Sequence, residues 1–384
     1  MKTKHLFIFC LFLLIVSQIQ AQDFISVKPY LQNPSENGIS IMWRTSEPAY
    51  SWVEYGTDTS NLKKVHDVEF GIVKANNTAN KIRLEGLNPA TKYFYRVCSQ
   101  EIITFGAYKK EFGDIHYSPF YSFTTFGNTK DSFTAIIFND IHSNLTTFDL
   151  LVEKLNGVNY DFAVFNGDCF NDPISEENEL KILSHFSEKM NGAEIPLFYL
   201  RGNHETRGTY ALGWPSLFDW DGGNPYFAFN YGDTRFVLLD NGEDKQDSSV
   251  EYSGLADYTG FRLKETEWLK DEIKSKDFKK SKRKILIHHM PIYGWENRYD
   301  PSGFIACKDL WEPIFAKTPF EIAITGHLHR YKFYKTGETG NPFPLVIGGG
   351  NNEKSATVMV LTKEGSKLSL RVLKLNGETD IFEL

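Results

Sequence analysis

Polar and apolar positions divide the chain into two textures. From residue 24 to about 126, short runs alternate apolar and polar residues between turn formers, as at 38–43, 51–55, 81–84, 93–97 and 121–125. A period of two with no helical period predicts strands assembled as a small β-sandwich. Beyond 131 the runs become fully apolar and alternate with amphipathic stretches. Strands are predicted at 134–138, 162–165, 195–200, 284–287 and 321–325, and helices at 145–155, 176–190 and 263–274. That alternation predicts an α/β domain around a central sheet. After 329 the helical period vanishes, and 331–334, 344–347, 357–361 and 368–373 read as closing strands. The polar junction at 127–131 separates a β module over 22–127 from an α/β domain over 131–384.

Residues 1–21 carry Lys2 and Lys4, an apolar run at 6–16 and a small-residue stretch ending at Ala21. This is the pattern of a secretory signal peptide, with an apolar run too short to span a bilayer. Cleavage would leave a secreted or periplasmic protein without a transmembrane anchor; a retained anchor is the alternative. Cys10 lies inside the apolar run, which gives no lipid-anchor signal. The formal charge of −7 becomes two units more negative once Lys2 and Lys4 are removed, so no basic nucleic-acid surface is expected. Cys98, Cys169 and Cys307 are odd in number, which argues against a disulfide framework. Asn76-Asn77-Thr78 and Asn144-Leu145-Thr146 read as chance glycosylation matches, the second lying too close to candidate ligands for a glycan.

Five polar clusters each begin where an apolar strand stops: Asp140-Ile141-His142, Gly167-Asp168, Gly202-Asn203-His204-Glu205, His288-His289-Met290-Pro291 and Gly326-His327-Leu328-His329. In open α/β sheets ligands gather outside the carboxyl ends of strands, so the five converge. Singly, Asp-x-His or Gly-Asp is an ordinary turn. Together they suit two cations roughly 3.5–4 Å apart, which need a bridging anionic oxygen with imidazole and carboxylate around it. A carboxylate can bridge and an imidazole cannot, which makes Asp168 the bridge candidate. Asn203 offers a neutral oxygen, and His204 a proton near neutral pH. Histidine-rich ligation favours Zn, Fe or Mn over Ca or Mg.

In this order the motifs resemble the calcineurin-like metallophosphoesterase superfamily over about 130–350. The run Leu84-Glu85-Gly86-Leu87-Asn88-Pro89-Ala90-Thr91-Lys92-Tyr93 looks like a fibronectin type III corner. With such a front domain, the chain is similar to the purple acid phosphatase branch or a bacterial relative. The resemblance implies a four-layer α-β-β-α catalytic domain, two divalent or mixed-valence metal ions and phosphate ester substrates. Asp140, His142, Asp168 and His329 would hold one metal, and Asp168, Asn203, His289 and His327 the other. His289 is preferred to His288 because the family's ligand lies two residues before the proline, here Pro291. His204 would be the catalytic acid or transition-state stabiliser, with a metal-bridging water as nucleophile. Glu205 is a candidate to orient His204.

The departures are informative. Purple enzymes carry a tyrosine three residues after the Gly-Asp aspartate, where this chain has Asn171, and they lack the ligand at His142. The resemblance is therefore architectural and does not extend to the chromophore; Zn, Mn or Fe/Zn fit. Asp172 is the neighbouring candidate for the aspartate many relatives carry at 171. Arg207, Trp214, Trp295, His288, Arg298 and Tyr299 are candidate surroundings, the Arg298-Tyr299 pair falling roughly where plant relatives have two histidines. His185 reads as an ordinary exposed histidine and Cys169 as buried and inert. The Gly348-Gly349-Gly350 run lacks the lysine and helix of a nucleotide cradle. The expected activity is phosphomonoester hydrolysis. A phosphodiesterase and a binding protein with a vestigial metal site are the alternatives, and Trp43 and Trp52 are the residues a carbohydrate platform would use.

Overall fold

The computed structural model describes residues 23–127, 131–295 and 303–384. Residues 1–21, read above as a signal peptide, and Arg298 and Tyr299 lie outside them. In the front domain, strand Ile39–Gly56 pairs antiparallel with Val27–Gln32, Ala75–Leu84, Lys63–Val65 and Lys92–Phe105. Its first part lies between Val27–Gln32 and Ala75–Leu84, and its second between Lys63–Val65 and Lys92–Phe105. The separate strands expected at 38–43 and 51–55 are thus one strand. Its register with Ala75–Leu84 shifts between Arg44 and Ala49, a stretch that contains Pro48, which has no N–H to give a ladder. Leu31, Ile41, Trp43, Val53, Tyr95 and Val97 pack together as the domain's core. Trp43 and Trp52 are both buried, so neither forms an exposed platform.

Two six-stranded sheets make the second domain. One has the order Leu197–Leu200, Phe162–Asn166, Ser132–Phe138, Thr357–Glu364, Lys367–Lys374, Thr379–Glu383. The other runs Phe227–Tyr231, Thr234–Leu239, Arg283–His288, Ile322–Thr325, Leu345–Ile347, Lys332–Tyr334. The sheets meet through rings: Phe198 stacks on Phe229 at 4.2 Å, and Phe162 stands edge-on to Phe236 at 5.3 Å. Truncating Phe162 to Ala would cost about 3–5 kcal/mol by the usual cavity cost of a buried aromatic. Helices Leu145–Glu153 and Glu176–Lys189 cover the first sheet, setting Phe148 and Phe186 against Phe165. Helices Tyr258–Glu272 and Lys308–Phe315 cover the second, where Leu269, Trp311 and Phe315 join Val237, Leu286 and Ala323. The result is four layers, α-β-β-α.

Helix starts follow local chemistry. Asn144 accepts the Thr147 N–H at 3.1 Å, Ser175 that of Asn178 and Asp257 that of Gly260, each satisfying an otherwise unpaired first-turn donor. The Asn144 amide also donates to the Asn351 carbonyl, so both ends of its side chain are engaged within the fold. The hairpin of Phe227–Tyr231 and Thr234–Leu239 and the helix Lys308–Phe315 were not anticipated from the pattern.

The front domain docks against an edge. Leu197–Leu200 ends its sheet, and an uncovered edge strand invites further pairing. Gln32 of the front domain donates to the Leu197 carbonyl at 2.5 Å, while Trp220 of the second domain itself donates to the Tyr199 carbonyl at 2.8 Å. Nearby, Leu31 N–H bonds the Gly192 carbonyl at 2.8 Å, and the hydroxyls of Tyr30 and Tyr95 donate to Leu217 and Ala193. Phe126 stands edge-on to Tyr231 at 4.7 Å, joining the larger core.

Candidate metal centre

Strands Ser132–Phe138, Phe162–Asn166 and Leu197–Leu200 run parallel, so the loops after them deliver Asp140, Asp168 and Asn203 to one end. The parallel pair Arg283–His288 and Ile322–Thr325 delivers His289 and His327 from the second sheet. The chain must turn sharply there. Asp140, His142, Asp168, His327 and His329 all have φ between 49° and 71°. Left-handed backbone at non-glycine residues costs on the order of 1 kcal/mol each, and its clustering marks a site the surroundings enforce. Loop-to-loop hydrogen bonds do the enforcing. His142 N–H reaches the Asp168 carbonyl at 2.8 Å, while the N–H groups of His204 and His327 reach the carboxylates of Asp168 and Asp140 at 2.8 Å each. A Cβ on Gly202 would collide with the Asp168 carboxylate, so this position requires glycine.

The side chains form two groups that share one residue. Donor atoms of Asp140, His142, Asp168 and His329 lie within 4.8 Å of one another, as do those of Asp168, His289 and His327. Asn203 joins the second: its amide places one terminal atom 2.9 Å from His327 Nδ1 and the other 3.1 Å from Arg207 Nη2. Hydrogen bonding alone favours the amide nitrogen towards His327; a cation would reverse the amide to present oxygen. His289 Nδ1 donates to the Asn166 carbonyl at 2.8 Å, which leaves Nε2 for the cluster, 3.0 Å from Asp168 Oδ2. That contact lacks hydrogen-bond geometry, and Nε2 of both His289 and His327 is buried without a hydrogen-bond partner. A buried, unpartnered His289 Nε2 facing the Asp168 carboxylate, with His327 Nδ1 turned to the Asn203 amide, fits a metal.

The charges tell the same story. Burial opposes ionisation of Asp168, yet the imidazoles around it, His289 foremost, hold its carboxyl far below the usual range. Burial likewise opposes a charge on His289, but Asp168 and Asp140 push its pKa up to about 10. Burial, aided by His289, lowers His327 to about 4, and burial also lowers His142 against the pull of Asp168 and Asp140. His329 is raised by its bond to Asp140. Two buried carboxylates therefore draw a proton onto one imidazole and leave others neutral. A divalent cation would take that proton's place, because ligating histidines must be neutral.

His204 stands beside the clusters, its ring edge-on to His142 at 4.5 Å. Its Nδ1 faces Asp172 Oδ1 at 3.0 Å, and its Nε2 lies 3.4 Å from Arg207 Nη1. Glu205 does not orient this ring, contrary to expectation. Its buried carboxylate accepts the N–H groups of Gly202, Asp168 and Phe170 at 2.7, 2.9 and 2.9 Å, tying two loops together. Burial and then the Asp168 charge push its pKa up to about 8 against those donors. The orienting carboxylate is Asp172.

Arg207 is clamped by Glu243 at 2.7 Å and Asp244 at 3.0 Å, which hold it charged despite burial. A cavity of about 360 Å³ opens over His204 and Asn203, with Trp295 edge-on to His327 at 4.9 Å. His288 turns away: its Nδ1 donates to the Met290 carbonyl and its ring packs near Trp311. Trp214 is fully buried near Phe170, outside the cavity wall. Asn171 accepts from His142 Nδ1 at 3.2 Å. His185 is half-buried and bonded to Asp149 at 2.7 Å, a correction to its reading as an ordinary exposed residue. Cys169 is buried, and burial raises its thiol pKa well above the ordinary value. Glu243, Asp244, Lys245 and Arg330 were not anticipated. The first three follow strand Thr234–Leu239, which the pattern reading overlooked.

Comparisons with known proteins agree with this arrangement. Residues 133–331 match the calcineurin-like phosphoesterase family, and residues 26–125 the purple acid phosphatase N-terminal domain. Purple acid phosphatase 18 of Arabidopsis thaliana is 23% identical over 175 residues, covering 41% of this chain and 37% of that protein. Purple acid phosphatase 23 of the same plant is 22% identical over 307 residues, covering 71% and 62%. The chain thus spans less than two thirds of either relative. Among solved structures, purple acid phosphatase PPD1 from yellow lupin (Lupinus luteus) seeds superposes with a TM-score of 0.66 at 17% identity, covering 94% of this chain and 74% of that one. PhoD superposes at 0.61 with 12% identity, covering 94% and 89%. These two share the fold. The match over 133–331 takes in more than half of the sequence and every loop that feeds the cavity, and the chain belongs to the calcineurin-like phosphoesterase family.

Proposed function

We propose that the chain is a metal-dependent phosphomonoesterase whose centre holds two cations. Asp140, His142, Asp168 and His329 hold one; Asp168, Asn203, His289 and His327 hold the other. The observation carrying this reading is the pair of donor clusters sharing Asp168 beneath a cavity walled by His204. When bound, two cations neutralise phosphoryl oxygens and acidify the attacking water. With no tyrosine at position 171, Zn, Mn or Fe/Zn is the expected content. The leader-like segment supports export from the cytoplasm.

The protein's own groups supply the rest. Asp172 fixes the His204 ring through Nδ1, which leaves Nε2 towards the cavity for the leaving-group oxygen. Proton donation there is general acid catalysis, worth typically 10²–10⁴-fold. Asp172 also fixes the tautomer and orientation of the ring, as an orienting aspartate does for a catalytic histidine. Arg207, clamped by Glu243 and Asp244, adds a fixed positive charge beside the transferring group. Glu205 sets the distance between the Asp168 and His204 loops.

The test is hydrolysis of p-nitrophenyl phosphate beside bis-p-nitrophenyl phosphate, with metal content measured on the same sample. Monoester turnover with about two metals bound is the expected result. Preference for the diester would make the centre a phosphodiesterase. A metal-free, inactive protein that cannot be reconstituted would overturn the site assignment.

A further inference from the structure

Glu243, which clamps Arg207, is itself held in place by a helix that carries none of the metal-binding motifs. Segment 240–244 follows strand Thr234–Leu239, and two side chains of helix Tyr258–Glu272 fix its backbone. Arg262 is buried, and its guanidinium donates to the carbonyl of Asn241 at 2.9 Å and to that of Glu243. Glu265 accepts the Asp240 N–H at 2.7 Å. Between these anchors Gly242 has φ of 69°, and a Cβ there would meet the Tyr258 ring at 2.7 Å, so helix and segment leave no room for a side chain.

The side chains of the segment reach the loops of the site. Asp240 accepts from Arg201 Nε at 2.7 Å, and Asn241 Oδ1 accepts the Met290 N–H at 2.9 Å. The Glu243 carboxylate accepts from Arg207 at 2.7 Å and from the Tyr252 hydroxyl. Only this last link leads to a group in the cavity wall whose guanidinium lies 3.4 Å from His204 Nε2. A planar fork of fixed donors holds two carbonyls at a set spacing, which an ammonium on a flexible stem does not.

We propose that Arg262 is a positioning residue for phosphoryl transfer. It fixes the backbone at 241–243, which aims the Glu243 carboxylate, which holds Arg207 beside His204. The inference rests on the phosphohydrolase reading above. Arg262 lies outside the cavity wall and acts only through Arg207. A charge that stabilises a transition state is effective because it is held in place beforehand, and a displacement of about 1 Å can cost on the order of 10²-fold.

The test is a double-mutant cycle on the metal-loaded enzyme with p-nitrophenyl phosphate. Arg262→Met should lower kcat about tenfold with KM changed less than about twofold, as loss of an interaction made in the transition state does. In the Arg207→Ala background the same substitution should lower kcat less than about twofold, because its route is already removed. Arg262→Lys, which keeps the charge without the fork, is the gentler variant where Arg262→Met does not fold; it should show a smaller loss and the same non-additivity. Metal content should stay at the wild-type level in each. An unchanged kcat, equal losses in both backgrounds, or loss of metal overturns the inference and leaves the phosphohydrolase reading standing. Wild-type enzyme with two metals that turns over neither p-nitrophenyl phosphate nor its diester overturns that reading, and the inference with it.

Discussion

The sheet containing Ser132–Phe138 brings Asp140, Asp168 and Asn203 to the centre with one imidazole, His142. The facing sheet brings His289, His327 and His329 and no carboxylate. Two carboxylates crowded at one sheet's end, Asp140 and Asp168, repel each other, and a row of neutral imidazoles alone carries no charge to attract a cation. Each half acquires its function from the other. The aromatic packing of Phe162, Phe198, Phe229 and Phe236 between the sheets therefore sets the ligand spacing as well as stability. Cation binding and sheet packing become linked equilibria, as in any site absent from the unfolded chain.

The most severe way to break this division is Asp168→Asn, because that carboxylate belongs to both clusters. Turnover of p-nitrophenyl phosphate should fall by about 10³-fold or more, and bound metal should drop from about two to one or none by elemental analysis. Two retained metals would show that the sheets do not depend on one shared oxygen. His204→Ala should lower kcat about 10²–10⁴-fold while metal content stays at the wild-type level, separating the proton donor from the ligands on its own sheet. A loss of metal in that variant would make His204 part of the cluster.

Asp172→Asn should lower kcat about tenfold with KM nearly unchanged, as loss of an orienting carboxylate does. The smallest effect concerns the metal-free protein. His289 and Glu205, with pKa values raised to about 10 and about 8, bind protons more tightly folded than unfolded. Their stabilising contribution is complete below their unfolded values and is lost as pH rises through the folded ones. The Tm of chelator-treated protein should therefore fall by several degrees between pH 7 and 10. His289→Gln should flatten that decline, and an unchanged slope would place the proton elsewhere.

The clustering of Asp140, His142, Asp168, His289, His327 and His329 was legible because each motif sits directly after an apolar strand, where short-range pattern and spatial position coincide. Asp172 was visible only as a neighbour of Asn171; its partnership with His204 spans 32 residues and needed the fold. Glu205 misled because adjacency in sequence suggested contact, whereas the chain turns its carboxylate inwards to three backbone donors. The hairpin after Pro225 was overlooked although 236–239 is the same kind of apolar run that marked the other strands; Asn230, Thr234 and Arg235 break up the apolar stretch around its turn. Helix Lys308–Phe315 hid because it is short and contains Pro313. In the front domain, the polar start of Ala75–Leu84 concealed half a strand that lies at the exposed surface.

The sealed edge at Leu197–Leu200 has a consequence for synthesis. The front domain leaves the ribosome first, so Gln32, which bonds the Leu197 carbonyl, and Tyr30 and Tyr95, which bond the carbonyls of Leu217 and Ala193, are made before their partners. At ordinary elongation rates of about 5–20 residues per second, there is time for that domain to fold while the rest is still being made. The edge strand is thus made when the domain that will cover it has already had time to fold.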